Sequence, residues 1–213
     1  MPIPPIAPYP MPRADQLPTS LVDWCPHPER AVLLVHDMQA YFTAAFAADR
    51  SPYVELLANL GRLRRTAAEL GIPVVYSAQP GAMDRRQRGL LHDFWGEGMR
   101  RRPDDVDIVD ALRPGQNDLV ITKWRYSAFV RSGLEEAIRA HGRDQLIVCG
   151  IYAHIGCLVT AIDAFSLDIE PFLVADAVAD MSADHHRLAL EYAARCCSRV
   201  LSTKQVVNYL KDV

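Results

Sequence analysis

The stretch AVLLVHDMQ, residues 31–39, runs five aliphatic residues straight into His36 and Asp37. That run is too short and too β-branched for a buried helix, and it fits a strand covered on both faces, as in a parallel sheet. Residues 73–77, 119–122, 145–149, 171–174 and 199–201 read the same way. Between them, residues 53–70 repeat apolar positions at helical spacing (Leu56, Leu57, Leu60, Leu63, Ala67, Leu70) and stop at Gly71, a normal helix terminator. Residues 133–141, 157–166, 183–194 and 203–210 are predicted helices on the same grounds. The alternation predicts an α/β fold: a single doubly wound, mostly parallel six-stranded sheet flanked by helices, over residues 29–213.

Residues 1–28 stand apart, because nine of the chain's 15 prolines fall there. Proline fixes φ and removes a backbone donor, so this arm is expected to be extended. Ile3, Ile6, Tyr9, Met11, Leu17, Leu21 and Trp24 give it apolar points by which to dock on the domain. Residues 80–114 are the second exception, with little periodicity and an aromatic pair, Phe94–Trp95, between charges and glycines; such an insertion reads as a lid.

Composition removes several function classes. The chain has 213 residues and a net charge of -3, without the basic stripe of a nucleic-acid binder. No apolar run approaches the ~20 residues of a membrane-spanning helix, and the N-terminus lacks the charged start and apolar run of a signal peptide. Five cysteines, odd in number and without a C-x-x-C pair, fit neither a zinc knuckle nor a disulfide framework, and point to a reducing cytoplasmic compartment. No G-x-G-x-x-G or Walker motif follows the first strand, so no nucleotide cofactor is expected. Asp184-His185-His186 opens a helix, where adjacent imidazoles point ~100° apart and share one ion poorly; no metal is expected. His36 and His154 read as local hydrogen-bonding or core residues.

In open α/β sheets ligands bind beyond the carboxyl ends of the strands. Asp37 follows the first predicted strand, Gln79 the second, Lys123 the third, and a turn carrying Tyr152 and Gly156 the fourth. Lys123 is notable because the chain holds only two other lysines, Lys204 and Lys211. An acid, an amide, a cation and a glycine-containing turn converge on one rim, which makes that rim the candidate site.

The segments AVLLVHDMQ, YSAQPG (76–81), RGLLHDFWGEGM (88–99), TKWRYSAF (122–129), CGIYAHIGC (149–157) and ADAVADMS (175–182), in this order, resemble the isochorismatase branch of the cysteine-hydrolase superfamily. The resemblance covers nearly the whole chain. It is nearest to stand-alone hydrolases of phenazine-type pathways that cleave 2-amino-2-deoxyisochorismate, with siderophore-pathway isochorismatases next. Because some of the latter carry a C-terminal aryl-carrier domain for which 213 residues leave no room, a stand-alone enzyme is expected.

The superfamily's usual machinery is a cysteine nucleophile with an Asp and a Lys. The resemblance carries the Asp onto Asp37 and the Lys onto Lys123, but the nucleophile position onto Gly156, with Cys157 in the adjacent slot. Without a thiolate, covalent amide hydrolysis loses its nucleophile, and a cavity is expected at Gly156. Cys157, one step along a helix, is expected to be a packed core thiol. The isochorismatase reaction instead needs a proton delivered to the methylene carbon of an enol-pyruvyl ether, so Asp37 is the expected general acid. Lys123 is expected to bind a substrate oxygen and orient Asp37. By motif, Gln79, Arg88, Trp95, Tyr152 and Gly156 are implied to bind substrate, Arg88 through a carboxylate, and Arg85 or Arg86 compete with Arg88 for that role. The family also implies a cis peptide at Ile151–Tyr152, no cofactor, and a homodimer. Two other readings stay open: a cysteine-dependent amide hydrolase using Cys157, and a catalytically silent scaffold for pathway partners.

Overall fold

The computed structural model describes residues 3–212; Met1, Pro2 and Val213, the outermost residues of the predicted arm and domain, lie outside them. Six strands, β1 (Ala31–His36), β2 (Val74–Ala78), β3 (Leu119–Thr122), β4 (Gln145–Ile151), β5 (Glu170–Ala179) and β6 (Arg199–Leu201), form one sheet in the order β3-β2-β1-β4-β5-β6. Every neighbouring pair is parallel. Alternate residues of β1 serve opposite faces: Ala31, Leu33 and Val35 join one core, Val32 and Leu34 the other. This is why the run reads as unbroken hydrophobic sequence.

The helices, in chain order, are α1 (Ala40–Thr43), α2 (Tyr53–Glu69), α3 (Arg85–Arg88), α4 (Leu91–Trp95), α5 (Pro103–Val106), α6 (Leu134–Ala140), α7 (Leu158–Ser166), α8 (Ala183–Cys196) and α9 (Thr203–Lys211). Helices α2 and α9 cover one face through Leu56, Leu60, Leu63, Val206 and Leu210. The other face is covered by α6, α7 and α8 through Leu134, Ile138, Ala161, Ala164, Ala189 and Ala193. The long helices carry their own start signals: Ser182 caps α8 by accepting from His185 N, and Ser202 and Gln205 form a reciprocal capping box on α9.

The structure corrects several boundaries. β5 runs well past the predicted residues 171–174, because Asp176, which breaks the apolar pattern, is satisfied by Thr203 N and Oγ1 at 2.6 and 2.7 Å, at the start of α9. The predicted helix at 157–166 begins at Leu158, preceded by a wider turn over Ala153–Cys157 in which Tyr152 O accepts from Gly156 N and Cys157 N. The 80–114 insertion is more ordered than expected, holding α3, α4, α5 and a 3-10 turn at Asp110–Leu112. Phe94 of its aromatic pair is exposed. In the arm, Ile6 and Tyr9 are buried, Ile6 N donates to Ala45 O, and Tyr9 Oη accepts from Asp180 N at 2.7 Å. Ile3, Met11 and Trp24 are partly buried against the core, but Leu21 is exposed and is not a docking point. No helix among the described residues is long and apolar enough to cross a membrane.

Candidate active site

Strand order reverses between β1 and β4, so the crevice beyond their carboxyl ends lies where α/β sheets bind ligands. At this point the two strands approach closely: a Cβ on Gly150, which has φ +113°, would run into the His36 backbone, 2.7 Å from its N. Asp37 leaves β1 with φ 48°, a left-handed conformation that costs a residue with a side chain and recurs at functional positions. Its backbone N donates to Ser77 O and Ser77 Oγ, both at 3.2 Å, which holds the turn against β2.

Asp37 is 5% exposed, and its carboxylate gathers donors from the ends of two strands, β2 and β3. Lys123 Nζ, 2% exposed as a residue, lies 2.9 Å from Oδ2. Ser77 Oγ donates to Oδ1 at 2.6 Å, and Gln79 Nε2 donates to Oδ2 at 3.4 Å. Burial alone would push the Asp37 carboxyl up, but the Lys123 ammonium and the Ser77 hydroxyl outweigh it and hold the group below the usual carboxylate range. The resting site therefore contains an ionised Asp37 paired with Lys123. Gln39, fully buried, braces this rim: its amide exchanges hydrogen bonds with Gln79 N and O and donates to Val106 O, tying the β2 turn to the insertion.

Asp37, Gln79, Arg88, Trp95, Lys123, Tyr152 and Gly156 all line one pocket, in which apolar and aromatic side chains surround a few convergent polar groups, the usual make-up of a small-molecule site. Arg88 is 7% exposed; its Nε donates to Gly96 O and its Nη1 to Gln79 Oε1, and among the described residues no carboxylate pairs with it. A buried guanidinium without a counter-ion is a site for an anion. Arg85 and Arg86 are exposed, and Arg85 turns to His92 and Asp93, so neither faces the pocket. Trp95 Nε1 donates to Tyr126 Oη at 2.8 Å, closing one wall. Tyr152 Oη donates to Phe42 O at 2.6 Å, and burial pushes its phenol pKa up. The Ile151–Tyr152 peptide is cis.

The cavity expected at Gly156 is not open. A Cβ there would run into His36 Cε1 and lie 2.9 Å from its Nε2, so the His36 imidazole fills the space a side chain at 156 would need. Cys157 is fully buried in the core on the α7 face, does not line the pocket, and burial pushes its thiol pKa well up. No cysteine among the described residues lines the pocket.

Sequence reasoning does not assign pocket roles to Ile3, His36, Tyr41, Phe42, Leu91, Tyr126, Ile155 or Met181, all of which line it, nor to Ser77, which touches Asp37. Ser77 and Tyr126 stand inside the segments YSAQPG and TKWRYSAF, and that adjacency is the available signal. Elsewhere, Asp184 and His186 do not join a cation site, but ligand atoms of His154, Asp180 and His185 come within 4.8 Å of one another. The two imidazoles stack 4.2 Å apart with planes 19° from parallel, so their in-plane lone pairs do not converge. Asp180 already accepts from His154 Nδ1, His154 N and Met181 N.

The isochorismatase domain family model matches residues 31–205. The phenazine biosynthesis protein PhzD1 of Pseudomonas aeruginosa is 55% identical over 206 residues, covering 97% of this chain and 99% of that protein. The isochorismatase of Bacillus subtilis is 53% identical over 212 residues, covering 100% of this chain and 68% of its own length. Among solved structures, a cysteine hydrolase from Pseudomonas syringae superposes with a TM-score of 0.82 at 24% identity, over 92% of this chain and 98% of that one.

Proposed function

Because this chain belongs to the isochorismatase family, we propose that its Asp37 acts as a general acid on the enol-pyruvyl ether of isochorismate or 2-amino-2-deoxyisochorismate, releasing pyruvate and a dihydro-hydroxy ring product. The chain is a hydrolase of the isochorismatase type. The observation that carries the mechanistic reading is the buried Asp37–Lys123 pair facing a pocket that no thiol among the described residues lines.

The substrate brings two carboxylates. Arg88 takes one in a charge-assisted hydrogen bond, and Lys123 turns part of its charge to the other. Asp37 then shares its cation and gains anionic neighbours while staying buried, so its carboxyl rises and takes up a proton. Asp37 delivers that proton to the terminal methylene, giving a methyl group and an oxocarbenium carbon. Water adds to that carbon, and the resulting hemiketal collapses to pyruvate and the ring alcohol. Trp95 and Tyr152 exclude bulk water from the cation, and Gln79 holds the Asp37 carboxyl in line. The likeness to a protein named for phenazine biosynthesis favours the amino substrate and 2,3-dihydro-3-hydroxyanthranilate as product. The same reading has residues 1–28 as an arm docked on the domain, and the enzyme working in the cytoplasm as a homodimer, which light scattering tests.

Chelator-treated protein is expected to release pyruvate from both ring substrates, with the higher kcat/KM on the amino compound. Near-normal turnover by Asp37→Asn would refute the assignment.

A further inference from the structure

Asp180 is a fully buried acid to which the roles of Asp37, Lys123 and Arg88 leave no task. It is the first residue beyond β5. Sheet register sets it beside the turn that follows β4, since Gly150 pairs with Val178 and Ile151 with Ala179. That turn, Ala153–Cys157, runs on into α7, and with the preceding Tyr152 it brings Tyr152, Ile155 and Gly156 to the pocket.

A helical start leaves its first N–H groups without acceptors in the helix itself. Here Tyr152 O takes those of Ile155, Gly156 and Cys157, while the Tyr152 side chain supplies no cap. The N–H of His154 goes instead to Asp180 Oδ2 at 2.5 Å, its only acceptor among the described residues. A second link joins His154 Nδ1 to Asp180 Oδ1 at 2.7 Å; the carboxylate accepts, so Nδ1 carries a ring proton. Asp180 thus caps, from the neighbouring strand, a turn that does not cap itself, and hydrogen bonds to a carboxylate are about twice as strong as neutral ones. Its own position is fixed from behind: Met181 N donates to Oδ1 at 2.7 Å, and Asp180 N donates to the hydroxyl of the buried Tyr9 at 2.7 Å. On the other side the turn meets β1, where His36 Nδ1 donates to Ile151 O at 2.8 Å and the ring packs against Gly156. His36 holds the entry to the turn and Asp180 its second residue, with Tyr152 between them.

We infer that Asp180 is a positioning residue for this pocket: through His154 it sets the turn that presents Tyr152, Ile155 and Gly156 to the substrate. Asp180 is not itself one of the lining residues. The inference rests on the pocket being the reaction site of the vinyl-ether reading. Asp37 and Lys123 stand at the ends of β1 and β3, away from this turn. Loosening the turn therefore disturbs one binding wall and leaves the acid and its cation in place.

Asp180→Asn, His154→Ala and His154→Asn test it. Asp180→Asn keeps the shape but turns an acceptor oxygen into an NH2 group that faces N–H donors. His154→Ala deletes the ring link and keeps the main-chain one; His154→Asn restores a donor near the Nδ1 position. Pyruvate release from isochorismate by the wild-type chain is measured first, so a failure of the vinyl-ether reading appears there, while a failure of this inference appears only in the variants. Kinetics are taken at a temperature where circular dichroism shows each variant folded. Asp180→Asn is expected to raise KM about tenfold or more, the scale of one lost hydrogen bond to a charged group, with kcat within about threefold. His154→Ala is expected to raise KM about fivefold, and His154→Asn to bring it back within about twofold of wild type. An Asp180→Asn enzyme with KM within about twofold of wild type would show that Asp180 serves stability alone, and a fall in kcat at unchanged KM would place it in the chemistry; either result overturns the inference. If Asp180→Asn does not fold, the His154 pair decides: a wild-type KM in His154→Ala, or no recovery in His154→Asn, overturns it.

Discussion

Replacing Lys123 by Met removes the cation from a buried carboxylate while keeping most of the side-chain volume. At 2.9 Å, unit charges in a medium of effective permittivity about 20 attract by about 6 kcal/mol, which is an upper limit. Asp37 stays 5% exposed, so the measured cost is expected to be about 3–5 kcal/mol, the usual result of orphaning one member of a buried pair. The loss depends on pH in a definite direction. In the wild type the folded Asp37 carboxyl lies below its unfolded value, so its contribution is present above the unfolded pKa of about 3.9 and is lost as pH falls through the folded one. In Lys123→Met burial dominates and the folded carboxyl lies above the unfolded value. The stability gap between the two proteins should therefore be widest near neutrality and shrink toward pH 4. Thermal unfolding followed by circular dichroism measures it, at roughly 2–4 °C per kcal/mol for a chain of this size. A gap that is equal at pH 4 and pH 7 would show that Lys123 does not hold Asp37 ionised.

Three further outcomes are expected. Because free Asp37 is ionised and substrate raises its pKa, kcat/KM should fall with rising pH from a lower apparent pKa than kcat does; coincident profiles would contradict substrate-driven protonation. Arg88→Met, which removes a buried cation with no carboxylate partner among the described residues, should raise KM by at least about thirtyfold, the equivalent of about 2 kcal/mol, with a smaller effect on kcat. Gly156→Ala should destabilise by about 1–3 kcal/mol in thermal unfolding, since the new methyl runs into the buried His36 ring; an unchanged Tm would mean that the ring moves aside freely.

What the sequence discloses and what it hides have physical reasons. β1 is legible because both of its faces are buried and its residues alternate between two cores. The far half of β5 is not, because Asp176 looks like a strand end until the start of α9 supplies its donors. The short helices of the insertion, four or five residues each, span too little chain for a period to show. Within the pocket, Asp37, Gln79, Lys123 and Tyr152 are each the first residue beyond a strand, and that position alone finds them. Ser77 and His36 lie inside strands or at their last residue, and their contacts depend on register. His36 pairs with Ser77 on one side and Gly150 on the other. The filling of the Gly156 slot by a ring 120 positions earlier is a packing fact between β1 and the turn after β4, and neither segment carries it alone.

Pyruvate formed in D2O by the wild type and by Asp37→Asn puts the proton transfer itself to the test. Proton delivery from the exchangeable Asp37 carboxyl to the methylene carbon requires one deuterium in each new pyruvate methyl group, and loss of turnover in the variant. Unlabelled methyl groups from the wild type, or singly labelled pyruvate formed by Asp37→Asn at the wild-type rate, would contradict it.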